Sequence, residues 1–199
     1  MLREDARLEA KVNKILSNLK LNYTGESKVR HYIDVLINDV GLEKISEKVK
    51  VPLKGLKAAP YYGCLLIHPP EIVNFEHPEH PSSMDKLVEI LGATNVNYTD
   101  KTRCCGASLI VTKEKIAMEM TKDPLLSAKD AGADCMITAC PMCHFNLDAM
   151  QKDIESKLNV KINLPILYIT QIIGISLGLE PSKLGLEKNC VSPMRLLSL

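Results

Sequence analysis

From residue 51 onward, short apolar runs alternate with stretches of helical period, and this alternation constrains the fold more than any other feature of the chain. "LKAAPYYGCLLI" predicts a strand leading into a loop that carries Cys64. "MDKLVEILG" predicts a helix capped by Ser82 or Ser83 and stopped by Gly92. "NVNYT" predicts a short strand, and "VTKEKIAMEMTKDPLLSAKDAG" a helix interrupted at Pro124. "ADCMITA" has the composition of a buried strand, and "CPMCHFNLDAMQKDIESKL" opens a helix with Pro141 in its first turn. "LPILYI" and "TQIIGISLGL" supply a last strand and a last helix, with residues 180–199 as a tail. Strands alternating with helices predict an α/β fold, a mainly parallel sheet flanked by helices.

Residues 1–50 have a different texture. Leu8, Val12, Ile15, Leu16 and Leu19 follow helical spacing, as do Val29, Ile33, Leu36, Ile37 and Val40, and Gly25 and Gly41 stand at expected C-cap positions. The expected organisation is an N-terminal helical segment over 1–50 and a cysteine-rich α/β domain over 51–199. A chain of 199 residues is long enough for one core with such an appendage.

In parallel sheets, ligands gather at the carboxyl ends of the strands. Cys64, the pair Cys104–Cys105 and Cys140 each follow a predicted strand, so three loops deliver thiols to one edge, with Cys143 joining from the helix start. The doublet is poorly suited to a disulfide of its own, because neighbouring Cα atoms lie about 3.8 Å apart. Gly106 permits the tight backbone that lets both neighbours face inward. Cys140-Pro-Met-Cys143 at a helix start lets two sulfurs converge where the positive helix end lowers thiol pKa.

Five thiolates are one more than a tetrahedral zinc or an ordinary cubane cluster uses. The excess points to an unusual, sulfur-rich iron cluster, or to one cysteine that is not a ligand. Two other readings stay open on the residues alone: a structural zinc held by four of the five, and a thiol–disulfide exchange site at "CPMC" that leaves three cysteines unexplained. Of the seven cysteines, Cys135 has the setting of a small buried hydrophobe and Cys190 lies in the tail, so both are expected outside the group. His144 is expected to be a plain helix residue rather than a donor to a sulfur. His31 is expected at the surface or in packing. The proline-rich loop with His68, His77 and His80 fits a solvent loop.

Acids and bases are mixed along the chain for a net charge of +1, and aromatics make up 4%, which gives no argument for nucleic acid. "LPILYITQIIGISLGL" is short for a bilayer and contains Thr170, Gln171 and Ser176, so no transmembrane segment is expected. The N-terminus is charged from its third residue, without an apolar signal region, and the cysteines are accordingly expected in a reducing, cytoplasmic compartment.

At the cysteines the chain resembles a known family. "PYYGCLLIHPPEI", "KTRCCGASL", "GADCMITACPMCHFNLD" and "LPILYITQIIGISLGL" are similar to the second repeat of the B-type subunit of CoB–CoM heterodisulfide reductase, the cysteine-rich CCG-domain family. The resemblance implies an iron–sulfur oxidoreductase subunit that reduces the coenzyme M–coenzyme B disulfide (CoM-S-S-CoB) to the two thiols in methanogenesis. It implies a non-cubane [4Fe-4S] cluster in each repeat, each capturing one sulfur. Carried over, Cys64, Cys104, Cys105, Cys140 and Cys143 would be the cluster ligands and, through the cluster, the catalytic residues. Subunits A (flavin) and C (conventional clusters) would be the partners. The family's first set of five cysteines has no counterpart in this sequence, which leaves three expectations open: a shortened paralogue lacking that repeat, an incomplete gene product, or a half that pairs with another chain. The alternative from another class is a non-catalytic zinc-binding module of a redox complex.

Overall fold

The computed structural model describes residue 2 and residues 4–196. Packing divides the chain into two units, Met1–Tyr32 and Ile33–Leu199. In the first, helix α1 (Ala6–Leu16) starts where the Asp5 carboxylate accepts from the backbone N–H groups of Arg7 and Leu8, both at 3.0 Å. The Asn13 amide clasps the Tyr23 backbone, donating to its carbonyl at 3.1 Å and accepting from its N–H at 2.7 Å.

Helix α2 (Tyr32–Val35) runs into a π turn over Leu36–Val40, closed by Gly41 at φ +89° as its position predicts. Val29 does not join this helix; it is 98% exposed, whereas Ile33 is fully buried. Gly25 ends no helix, because the chain after α1 already turns at Lys20 with φ +58°. Helix α3 (Leu42–Glu47) buries Ile45, and the following Lys50 and Val51 N–H groups donate to the Ser176 carbonyl at 2.7 and 3.0 Å. Residues 33–50 are thereby tied into the larger unit.

The remaining elements follow in order: β1 (Lys57–Tyr61), α4 (Pro70–Val73), α5 (Ser83–Ile90), β2 (Thr94–Asn95), α6 (Glu114–Asp130), β3 (Cys135–Thr138), α7 (Pro141–Ala149), α8 (Gln151–Leu158), β4 (Ile166–Tyr168) and α9 (Ile169–Ser176). All strand pairs are parallel, in the order β2-β1-β3-β4, with Ala58 opposite Cys135 and Met136 opposite Ile166. This is the α/β fold that the alternation predicts. The fully buried Ala59, Met136, Ile166, Leu125, Leu147 and Ile154 make the core between the sheet and the helices of one face.

The order has a consequence for ligands. From β1 the chain moves outward to β2 on one side, and β3 continues to β4 on the other. The loops leaving β1 and β3 diverge there and open a crevice at their carboxyl ends.

Three local expectations change. The strand expected over "NVNYT" shrinks to Thr94–Asn95, because only Lys57 and Ala58 of β1 pair with it. Beyond that pairing stands Pro60, which has no N–H to give, and its carbonyl takes the Tyr98 hydroxyl at 3.1 Å instead. Pro124 does not interrupt α6; its ring is buried with Thr121, Leu125 and Ala128 on the inner face, which offsets the lost backbone bond. Neither Ser82 nor Ser83 caps α5 with its side chain. The Glu76 carboxylate does so from the proline-rich loop, accepting from Ser82 N at 3.1 Å and Ser83 N at 2.7 Å. Among the described residues, no helix is long and apolar enough to cross a membrane.

Candidate metal centre

Two loops are stitched together before either presents a thiol. The N–H groups of Tyr62 and Gly63, just past β1, donate to the Lys101 carbonyl at 2.8 and 3.3 Å. The Tyr61 hydroxyl donates to the Arg103 carbonyl at 2.5 Å. Cys64 therefore stands beside Cys104 and Cys105 whatever the rest of each loop does. Its own carbonyl accepts from Ile67 and His68 N–H at 3.1 and 2.9 Å, which sets the turn that aims it.

Two glycines make the close approach possible. Gly63 has φ +65°, and a Cβ there would lie 3.3 Å from Cys143 Sγ. Gly106 has φ +78°, and a Cβ there would meet the Ala117 carbonyl and Met120 Cβ at 3.0 Å. The doublet can thus press against α6 only because glycine follows it.

The third segment comes from β3. Cys140 is the N-cap residue of α7, Pro141 occupies its first turn, and the Tyr168 hydroxyl holds the preceding Ala139 carbonyl at 2.6 Å. One turn into the helix Cys143 is buried, with its sulfur 3.4 Å from Cys105 Sγ. Cys64, Cys104, Cys105, Cys140 and Cys143 all line one cavity of about 150 Å³, with Tyr62 in its wall. That is several times the ~30 Å³ share of a water molecule, room for a group of several atoms. Leu65 and Met142 also line it and are mostly exposed, which places them at its rim.

Electrostatics separates the five thiols. The Cys140 pKa is lowered to about 6, first by its side-chain hydrogen bond with Cys143 and then by the N–H groups of Cys143 and Met142 at the start of α7, against the opposing effect of burial. The Cys105 pKa is lowered to about 7 by the hydrogen bond with Cys143, against the opposing effect of burial. Cys143 is the group that keeps its proton, held far above the usual thiol range by its hydrogen bonds to Cys105 and Cys140 and then by burial. Cys64 is raised by burial first and by Cys104 next. Two of the five thus sit near or below neutral pH, so metal binding there requires less deprotonation.

The other cysteines lie elsewhere. Cys135 is fully buried in β3, and burial pushes its thiol up. Cys190 is exposed in the C-terminal segment, where its N–H donates to Asp148 at 2.6 Å. His144 packs edge-on to Tyr168 and its Nε2 lies 3.1 Å from the Ile166 carbonyl, so it serves the helix packing. In the proline-rich loop, His77 Nδ1 accepts from the Glu79 and His80 N–H groups at 3.2 and 3.0 Å, closing a turn. Among the described residues, no three His, Cys, Asp or Glu side chains are gathered so as to hold a single metal ion. The five thiols are spread around a cavity wall instead.

Residues 58–148, which carry all five, match the family model described as the CCG cysteine-rich domain. The chain is 37% identical over 199 residues to the B-type subunit of the ferredoxin/F(420)H(2)-dependent CoB-CoM heterodisulfide reductase of Methanosarcina acetivorans, covering 99% of this chain and 66% of that protein. The chain belongs to the CCG-domain family of heterodisulfide reductase B-type subunits. A second relative, the 8-methylmenaquinol:fumarate reductase membrane anchor subunit of Wolinella succinogenes, is 33% identical over 192 residues, covering 96% of this chain and 67% of that protein. The chain spans about two thirds of the length of these curated relatives, consistent with a match to the second of two repeats. A solved structure, that of a hypothetical protein from Helicobacter pylori, shares the fold with a TM-score of 0.71 at 15% identity, covering 96% of this chain and 34% of that one.

Several other residues of the site carry little signal in the sequence. Gly63, Leu65 and Met142 each neighbour a cysteine in sequence and Tyr62 stands two residues before Cys64, and this proximity is the signal that the sequence holds. Thr121 and Asn146 carried a weaker one, a helical polar residue at a position that the packing buries.

Proposed function

We propose that the chain is the cluster-bearing subunit of a heterodisulfide-reductase-type complex. Cys64, Cys104, Cys105, Cys140 and Cys143 would hold a [4Fe-4S] cluster of the non-cubane kind, and the disulfide reduced would be CoM-S-S-CoB. The observation that carries the reading is that five thiols from three segments line one cavity at the topological switch point. The donor set fits the group: it is all sulfur, it exceeds four, and it lines one cavity. A zinc-binding module has less support, because one tetrahedral ion would leave a fifth thiol over.

When bound, such a cluster supplies electrons one at a time and a Lewis-acidic iron. The chain's own residues do the rest. Leu65 and Met142 at the rim keep the mouth of the cavity apolar, which favours a sulfur compound over bulk water. Tyr62, in the cavity wall, is fixed by its hydroxyl, which donates to Asp85 Oδ2 at 2.7 Å and accepts from Met84 and Asp85 N–H at 2.9 and 3.1 Å. The low pKa of Cys140 and Cys105 readies two sulfurs to ligate without a strong base.

A disulfide has two sulfurs, and this chain carries one five-cysteine set. Turnover would therefore need a second set, with subunits of the A (flavin) and C (conventional cluster) kinds delivering electrons. Iron and acid-labile sulfide analysis after anaerobic reconstitution tests the cofactor. About four irons per chain with sulfide supports it. One zinc without sulfide contradicts it. Disulfide reduction with a one-electron donor, by an assembly including the chain, then tests the substrate.

A further inference from the structure

The doublet has to be held as well as presented, and two buried polar side chains converge on its backbone. Asn146 lies on α7, one turn beyond Cys143, and is 1% exposed. Its Nδ2 donates to the Cys105 carbonyl and to Thr121 Oγ1, both at 2.8 Å. Thr121, on α6 and also 1% exposed, places its hydroxyl 2.8 Å from the same Cys105 carbonyl and 2.7 Å from the Ala117 carbonyl. A single carbonyl, between the doublet and Gly106, is thus the meeting point of two helices.

The other end of the Asn146 side chain is informative. Among the described residues its Oδ1 is buried without a hydrogen-bond partner. A buried acceptor left unsatisfied is costly, so it is the donor end that this position uses. A leucine would fill the space without that cost but would abandon the Cys105 carbonyl. Thr121 alone cannot replace the amide, because its one proton serves either Cys105 or Ala117.

We propose that Asn146, assisted by Thr121, is a positioning residue that locks the Cys104–Cys105 doublet to α7 and so sets the approach of Cys105 to Cys143. The amide and Cys143 share one helix, one turn apart, so a bond from that helix to the Cys105 backbone fixes the two sulfurs relative to each other. As far as it concerns the cluster, the proposal rests on the reading of these cysteines as ligands of one centre. As far as it concerns thiol geometry, it does not.

Gln151 provides the control. It is an equally buried amide on α8 that donates to the Leu147 and Leu164 carbonyls at 2.9 and 2.7 Å and does not touch the doublet. Metal-free protein is treated with diamide, which takes two electrons and two protons from a pair of thiols as their S–S bond forms. Peptide mass mapping gives the ratio of Cys105–Cys143 to Cys140–Cys143 bridges. Asn146→Ala and Thr121→Val should each lower that ratio roughly three- to tenfold, the factor one buried hydrogen bond carries, while Gln151→Leu leaves it unchanged.

If Asn146→Ala does not fold, Thr121→Val carries the test alone. The proposal is overturned by a wild type that forms no Cys105–Cys143 bridge, by folded variants that keep the wild-type ratio, or by a Gln151→Leu variant that shifts it equally. Reconstituted Asn146→Ala should also give an altered electron paramagnetic resonance spectrum at unchanged iron content. A wild type that binds no iron would remove the cluster reading and leave the bridge ratio to decide on Asn146.

Discussion

The sulfurs of Cys105 and Cys143 stand 3.4 Å apart although 38 residues separate them in the chain. No single turn or helix achieves this. The parallel pairing of β1 with β3 brings the two loops to one edge, Tyr61 and Lys101 stitch the first loop to the doublet, and α7 turns Cys143 inward while Pro141 and Met142 of the same turn stay exposed. Without metal, three crowded thiols cannot all ionise, and Cys143 is the one that stays neutral.

The order of thiol reactivity in metal-free protein follows. A thiol whose pKa is lowered is thiolate, and so nucleophilic, at lower pH. Iodoacetamide labelling of Cys140 should rise through about pH 6 and be nearly complete at pH 7. Cys105 should follow around pH 7, slowed by burial. Cys64, raised above the ordinary range, should label only in alkaline solution. Peptide mass spectrometry across pH 5 to 9 reads the order, and Cys64 labelling ahead of Cys140 would contradict it.

Three glycines at positive φ form a graded series. Gly132, at φ +86°, has no atom within 4 Å of where a Cβ would stand, so Gly132→Ala should cost roughly 1–2 kcal/mol of backbone strain alone. Gly106→Ala adds contacts at 3.0 Å against α6 and should cost about 1–3 kcal/mol more. Gly63→Ala, whose neighbours at 3.3 Å are side chains, should fall between them. Urea denaturation measures all three, and equal midpoints would show that the close packing behind the doublet has no energetic weight.

Tyr62 and Asp85 form a second testable pair. The Tyr62 hydroxyl serves two helix N–H groups and the Asp85 carboxylate, which also takes Lys101 Nζ at 3.0 Å. Tyr62→Phe should destabilise by about 1–3 kcal/mol, because buried partners lose the bond they make at that point. A double-mutant cycle with Asp85→Asn should show a coupling between the two, and additive losses would mean that the pair acts independently.

The site was more legible in the sequence than the details of the fold around it. Each buried strand is a short apolar run, and a cysteine follows β1 and β3 within a few residues, so the sheet edge could be located from "YYGC" and "ITACPMC" alone. What escaped is long-range. Glu76 caps a helix from a separate loop, Pro124 is accepted inside α6 because its face is buried, and β2 is cut short by pairing with only two residues of β1. Asn146 is a polar residue on a helix in sequence; only the meeting of α6, α7 and the doublet makes it a bolt.

In the proposed function, five cysteines, and not the other two, hold one multi-iron centre. Its most direct test is the iron content of seven single Cys→Ser variants after anaerobic reconstitution. Loss of iron, or a changed cluster spectrum, is expected for Cys64, Cys104, Cys105, Cys140 and Cys143, with Cys135→Ser and Cys190→Ser retaining the wild-type content. A series in which Cys64→Ser and Cys104→Ser load iron as the wild type does, or in which Cys190→Ser abolishes loading, would contradict the account.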